Sequence, residues 1–326
     1  MTNGIELLPS YLTIDSDQLH DNFDLLNEIE AKNIKEGITD SKSKWSVSDG
    51  RIKAPRRRNR YSNIFPFNYN RVRLPCKSKS DYINASRVQI DDENKYIVTQ
   101  GPTESTIHHF WSMCFNESEA NNQDTIVIVM LTSLVEDGVF KCIQYWPNDL
   151  DESTQEMKFY SQLKEDSIDI NNLKVRFVNK IYNEDGDYLL TELELKTTTK
   201  TKKVYHYYYY KWADARVPPS AKSLHNLSED IHKYDLETNK PIIPIIHCSA
   251  GVGRSGTFIV LDYIFRNPDV FFSETNLTSH YDPKRDPIYQ TVFTLRTYRM
   301  MMVQTFHQYR FLYNTAIGMF RQIQDS

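Results

Sequence analysis

One segment limits what this chain can fold into more than any other. Pro241-Ile242-Ile243-Pro244-Ile245-Ile246 is followed by His247-Cys248-Ser249-Ala250-Gly251-Val252-Gly253-Arg254-Ser255-Gly256-Thr257 and then by Phe258-Ile259-Val260-Leu261. The first stretch reads as a short buried strand and the last as the start of a buried helix. A glycine-rich turn between them points backbone N–H groups inward, and the helix dipole adds positive potential, so the turn is an anion cradle. A thiol at its head is expected to ionise readily, and Arg254 brings a planar fork suited to two phosphate oxygens. A lone cysteine in such a turn is more often a small buried hydrophobe. The joint presence of thiol, glycines, arginine and hydroxyl favours phosphate-ester hydrolysis through a phosphocysteine. The Gly-Lys-Ser/Thr ending of a nucleotide loop and the glycine spacing of a nicotinamide fingerprint are both missing.

A hydrolytic thiolate needs a reducing setting, and cysteine usage agrees with one. Cys76, Cys114, Cys142 and Cys248 have neither metal-ligand nor disulfide-framework spacing. The first residues lack the basic flank and apolar run of a secretory signal, and no apolar stretch reaches membrane-spanning length. A cytoplasmic protein is therefore expected, with the nucleus also open to it. A net charge of -4 argues against general nucleic-acid binding. The run Arg51, Lys53, Arg56, Arg57, Arg58 and Arg60 reads as a solvated face that would attract acidic substrates if it lay beside the site.

Residues 12–36 suggest one or two helices laid on the body, and 38–58 an extended, partly mobile connection. Strands are expected at 82–86, 96–99, 125–130, 138–144, 173–181, 187–197 and 203–209. Helices are expected at 104–118, 255–264, 287–301 and 305–323, with a polar insertion at 273–286. Charged residues such as Glu194, Lys196 and Lys202 mark solvated faces of antiparallel hairpins. No repeat or linker is visible. The expectation is one α/β domain, a highly twisted mixed β-sheet flanked by helices. Its parts are an N-terminal helical segment (1–36), a catalytic body (37–322) and a polar tail (323–326).

A phosphocysteine route needs a proton donor for the leaving oxygen. Asp214, in Trp212-Ala213-Asp214-Ala215-Arg216, is the candidate, with Trp212 as anchor of a moving flap; an aspartate capping a loop is the plainer reading. The intermediate then needs an oriented water. Gln304 and Gln308 stand four apart on a helical face and can point to one place. The Ser255 hydroxyl could stabilise the departing thiolate, cap the helix, or do both.

The chain resembles the cysteine-based, phosphotyrosine-specific protein tyrosine phosphatases of the non-receptor, single-catalytic-domain type over roughly residues 30–322. The resemblance rests on Asn59-Arg60-Tyr61, Asp81-Tyr82-Ile83-Asn84-Ala85-Ser86, Thr99-Gln100-Gly101-Pro102, Phe110-Trp111-Ser112-Met113, Lys141-Cys142-Ile143-Gln144-Tyr145-Trp146-Pro147 and Val303-Gln304-Thr305, besides the cysteine loop. It implies Cys248 as nucleophile and Arg254 as clamp, with the N–H groups of Ser249, Ala250, Gly251, Val252, Gly253 and Arg254 on phosphate. It implies Glu136 pairing with Arg254, Asp214 as acid then base on a closing loop, and Gln304 placing water. Tyr61 would stack on the substrate ring and wall a deep cleft. Asn63 would grip the peptide backbone, Lys141 line the cleft, Gln308 assist substrate binding, and His247 tune Cys248. No cofactor or metal is implied. The implied partners are phosphotyrosine-containing proteins, acted on by a monomer.

Several positions depart from that pattern. Ala213 stands where proline is usual, with Ala215 and Arg216 after the acid, so loop closure is expected to differ. Met301 fills a position where glycine would open a second phosphotyrosine pocket, and Asn63 replaces a carboxylate. The rival expectations are a phosphotyrosine-binding pseudophosphatase and a dual-specificity or phosphoinositide phosphatase.

Overall fold

The computed structural model describes residues 8–53, 56–75, 80–147, 156–158, 173–238, 240–273 and 281–325. In chain order these form helix α1 (Ser16–Thr39), strands β1 (Arg71–Arg73), β2 (Tyr82–Gln89) and β3 (Lys95–Thr99), and helix α2 (Ile107–Ala120). Strands β4 (Thr125–Met130), β5 (Val135–Glu136), β6 (Val139–Phe140), β7 (Glu156–Lys158), β8 (Lys174–Asn183), β9 (Tyr188–Lys196) and β10 (Thr201–Tyr208) follow. The rest is α3 (Ala221–Thr238), β11 (Ile245–His247), α4 (Gly253–Arg266), α5 (Pro268–Phe272), α6 (Pro287–Tyr298) and α7 (Phe306–Gln324).

Among the described residues one sheet has the order β1-β2-β3-β11-β4-β10-β9-β8-β7. It is mixed: β11 runs parallel to both β3 and β4, β4 runs parallel to β10, and the flanking pairs are antiparallel. Residue alternation along the central strands explains the layers. In β4, Val127 and Val129 enter the core under α1, α3, α4, α6 and α7, while Ile126, Ile128 and Met130 enter the core under α2. The same alternation sends Ile246 to the first core and Ile245 to the second.

α4 is buried from Gly253 to Ile264. A helix covered all round must be apolar or internally paired. Phe258, Ile259, Val260 and Leu261 meet the first requirement, each contributing roughly 1.5–3 kcal/mol of burial. That fixes the head of α4, and the loop before it, at the C-terminal end of the central strand.

The N-terminal stretch is one continuous helix capped by Asp15, within the one or two expected. Several other expectations are corrected. Residues 38–58 contain helical turns at Asp49–Lys53 and Arg56–Arg58, with Ser46, Val47 and Arg58 buried. The strand expected at 138–144 is only β6, which pairs with β5 in a separate hairpin. Lys202 is buried, because Glu119 and Asp124 pair with it. The basic run is not simply a solvated face. Arg58 donates to the carbonyls of Ser80 and Tyr82, and Arg60 to those of Gly101 and Pro102. α7 continues to Gln324, so the first two residues of the expected polar tail, Ile323 and Gln324, are helical. Cys76 and residues 274–280, half of the 273–286 insertion, lie outside the described residues.

Candidate active site

The loop between β11 and α4 closes into a cradle because its carbonyls are pulled outward. Arg299, fully buried, donates from Nε to Gly251 O at 2.7 Å and from Nη2 to Ala250 O at 3.0 Å. The planar peptide then aims the opposite N–H groups of Gly251 and Val252 inward. Gly251 sits at φ +70°, and a Cβ there would fall 2.1 Å from Thr99 O, so only glycine fits. Its N–H lies 3.2 Å from Cys248 Sγ.

Cys248 is 3 % exposed. Burial alone would push its thiol up. The Arg254 charge, with the hydroxyl and N–H of Ser255 and the N–H of Val252, more than offsets this and lowers its pKa below the ordinary thiol value. The Ser255 hydroxyl is buried without a partner of strict hydrogen-bond geometry, so it acts on the sulfur as a nearby dipole. It does not cap α4, which begins at Gly253 with Val252 at the cap position.

Arg254 is 1 % exposed and held along one edge. Its Nη1 donates to Glu136 Oε1 at 2.6 Å and to Trp212 O at 2.7 Å, while Nη2 reaches Asp214 Oδ1 at 3.3 Å. Its Nε is buried without a partner. Glu136 belongs to the β5–β6 hairpin, whose turn residues Asp137 and Gly138 both have positive φ. Its other oxygen accepts the Asp214 N–H at 3.0 Å, so one carboxylate ties the arginine to the Asp214 loop.

Asp214 is half exposed, with Oδ2 at 2.8 Å from Lys141 Nζ. Burial raises its pKa, but the Lys141 hydrogen bond and the charges of Arg254 and Lys141 hold the carboxyl below its ordinary range. Trp212 is fully buried and donates from Nε1 to Arg216 O at 2.8 Å, so it anchors the loop. Ala215 occupies the left-handed region at φ +55°.

Both glutamines border the cradle, as expected: a Cβ at Gly253 would lie 3.1 Å from the Oε1 of Gln304 and 3.1 Å from that of Gln308. Gln304 is exposed, whereas Gln308 is 1 % exposed; its Oε1 accepts the N–H groups of Gln304 and Thr305, and its Nε2 donates to Arg216 O at 3.4 Å. The Gln308 side chain thus caps α7 and touches the Asp214 loop as well as the cradle. Tyr61 Oη lies 2.8 Å from Ser249 Oγ, which donates to Lys141 O at 2.8 Å, so ring, loop and Lys141 backbone form one wall. Ala250 and Tyr61 are both half-buried against one small apolar cluster, and Asn63 is exposed in the turn that follows Tyr61.

The family model "Protein-tyrosine phosphatase" matches residues 55–318. The chain belongs to the protein-tyrosine phosphatase family. It is 36% identical over 293 residues to Tyrosine-protein phosphatase 1 of Saccharomyces cerevisiae, covering 84% of this chain and 85% of that one. It is 35% identical over 267 residues to mouse Tyrosine-protein phosphatase non-receptor type 2, covering 80% of this chain and 57% of the relative. A solved structure of PTPN18, concerning its fingerprint on distinct HER2 tyrosine phosphorylation sites, superposes with TM-score 0.73 at 26% identity. That match covers 93% of this chain and 95% of the other. Another, of PTPN18 in complex with HER2 phosphopeptides, gives TM-score 0.72 at 26% identity, covering 93% and 92%.

Two features of this protein-tyrosine phosphatase escaped the sequence reading. Arg299 is one, and no local signal marks it, because its partners lie 48 and 49 residues away. The other is a buried chain beneath Cys248. His247 Nδ1 lies 3.0 Å from Cys248 O, so Nδ1 donates; its Nε2, 2.6 Å from Tyr145 Oη, must then accept. Tyr145 therefore accepts from His206 Nε2 at 2.7 Å. Burial keeps both imidazoles neutral, His247 with a pKa lowered to about 4. His247 thus orients the Cys248 carbonyl as a neutral donor.

Proposed function

We propose that this protein-tyrosine phosphatase hydrolyses phosphotyrosine in proteins through a phosphocysteine formed on Cys248. The observation that carries this is the second edge of Arg254, where Nε has no partner and Nη2 holds only a 3.3 Å contact to Asp214. Glu136 and Trp212 O occupy Nη1, while Nε and the loosely bound Nη2 are available to two phosphate oxygens above a thiol biased toward its anion. In the first step Sγ attacks phosphorus, the ester oxygen departs, and Asp214 supplies its proton. A phosphate dianion competes with Asp214 for Arg254 and raises the carboxyl's proton affinity, which readies the acid. In the second step a water held by Gln304 attacks phosphorus and gives its proton to Asp214. The S–P bond breaks, returning the thiolate beside Ser255.

The wall of Tyr61, Ser249 and Lys141 supports selection by depth, since an aryl phosphate spans it and a short serine phosphate does not. Asn63 is the proposed contact to the substrate backbone. The phosphopeptide complexes of PTPN18 support the same class of partner. Among the described residues no helix is long and apolar enough to cross a membrane, and no group of His, Cys, Asp and Glu could hold a metal. We place the chain in the cytoplasm, on the cysteine usage given above, and infer that it acts as a monomer because the site is assembled from residues of one chain.

Turnover of matched phosphotyrosine, phosphoserine and inositol-lipid substrates tests the reading; only the first should turn over well. Cys248→Ser should abolish turnover and retain phosphopeptide binding, whereas full activity would end the assignment. Asp214→Ala should slow the first step ~10²–10⁴-fold; an unchanged rate would mean another group donates the proton.

A further inference from the structure

The segment between α6 and α7 carries Gln304 in an unfavourable backbone. Met301 and Val303 both adopt positive φ, +61° and +59°. Neither is glycine, and a β-branched valine there is a pronounced outlier that persists only if its surroundings hold it. Two buried side chains, Glu30 and Arg296, hold it. Glu30 of α1, 8 % exposed, accepts the Met301 N–H at 2.6 Å. Arg296, 5 % exposed, donates from Nε to Met302 O and from Nη2 to Val303 O, both at 3.0 Å. The two side chains pair at 3.4 Å, and Arg296 Nη1 donates to Asn27 of α1 at 2.9 Å. The guanidinium also lies 5.2 Å from the Phe23 ring of α1, and that ring packs against Phe306 and Tyr309 at the start of α7.

We propose that Glu30 is a positioning residue for the second chemical step. Through Met301 and Arg296, it locks the strained turn that sets Gln304 against the cradle. α1 is then part of the catalytic device, although none of its residues touches substrate. This rests on the reading of Gln304 as the group that places the hydrolytic water. The clamp acts on the turn and leaves the Cys248 loop to Arg299, so the first step should not depend on it.

Rapid-mixing kinetics on an aryl phosphate separates the two steps, because a burst of phenol reports phosphocysteine formation and the steady state reports its hydrolysis. Glu30→Ala should leave the burst rate near wild type, enlarge the burst and lower steady-state turnover by ~10–100-fold, the cost of about 1 Å of misplacement. Glu30→Gln keeps an acceptor for the Met301 N–H and should recover part of the loss. Leu25→Ala, on the exposed side of α1, should change neither step. Gln304→Ala is run alongside. If it too spares hydrolysis, the reading of Gln304 is wrong. If it slows hydrolysis while Glu30→Ala does not, the clamp is wrong. Equal slowing of both steps by Glu30→Ala, with a lowered melting temperature, would make Glu30 merely structural and overturn the proposal.

Discussion

Asp214 carries two tasks that pull its proton affinity in opposite directions. As acid it must hold a proton; as base it must have lost one. Its Lys141 and Arg254 contacts favour the second condition in the absence of phosphate. The alkaline limb of kcat/KM, which reports the free enzyme, should therefore follow this carboxyl. Since Lys141 lowers its pKa, Lys141→Ala should raise it and move that limb to higher pH; a pH–rate profile with an unmoved limb would remove Lys141 from this role. Cys248 and Arg254 were legible in the sequence because both ride on one loop with its glycines. Arg299, Glu30 and Lys141 act across long sequence separations, so no spacing announces their contacts. Gln304 and Gln308 do reach one place at Gly253, although Gln304 precedes α7 and Gln308 is held there by its capping bonds.

Among the elements, the Asp214 loop shows a backbone cost. Ala215 sits in the left-handed region, where a Cβ is penalised by roughly 1–2 kcal/mol. Glycine there should favour the closed arrangement by up to about 1 kcal/mol after its extra freedom when open is discounted. Ala215→Gly should then raise turnover where closure limits it, and steady-state kinetics on a phosphotyrosine peptide would show this; slower turnover would mean the alanine backbone is not a strain on closure. β4 matches its expectation because Thr125–Met130 is a run of five apolar residues after a threonine, and β10 because Val204, Tyr205, Tyr207 and Tyr208 favour a pleated strand. The β5–β6 hairpin was misjudged because two-residue strands have no periodicity, and its role comes from Glu136 reaching two other elements. α3 lies outside the expected helices although Leu224, Leu227, Ile231 and Tyr234 form a buried stripe at helical spacing.

At the scale of the whole molecule, the acid side and the cradle side are joined through a buried ion pair. Asp262 of α4, fully buried, accepts from Tyr96 of β3 at 2.6 Å and Ser228 of α3 at 2.7 Å, and faces His232 Nε2 of α3 at 3.1 Å. His232 Nδ1 lies 3.0 Å from Asp235, which Arg266 also approaches. Burial would lower the imidazole's pKa, but Asp262 and Asp235 raise it to about 9. A raised value means that this contribution to stability is complete below the ordinary histidine pKa of about 6.5 and is lost as pH climbs through about 9. His232→Ala should cost about 3–5 kcal/mol near pH 6, as expected for stranding a buried charge. The difference from wild type in denaturant melts should shrink above pH 9; a pH-independent difference would contradict the pairing.

The strand that presents the nucleophile, Ile245–His247, is only three residues long and pairs on both sides with strands far away in the chain. Parallel neighbours of this kind cannot form locally, since each needs a long crossover to be laid down first. The thiol's chemical personality is thus a late product of folding. Alkylation of Cys248 at neutral pH should report on the integrity of the entire sheet, with its fast labelling fading along the same curve as global unfolding.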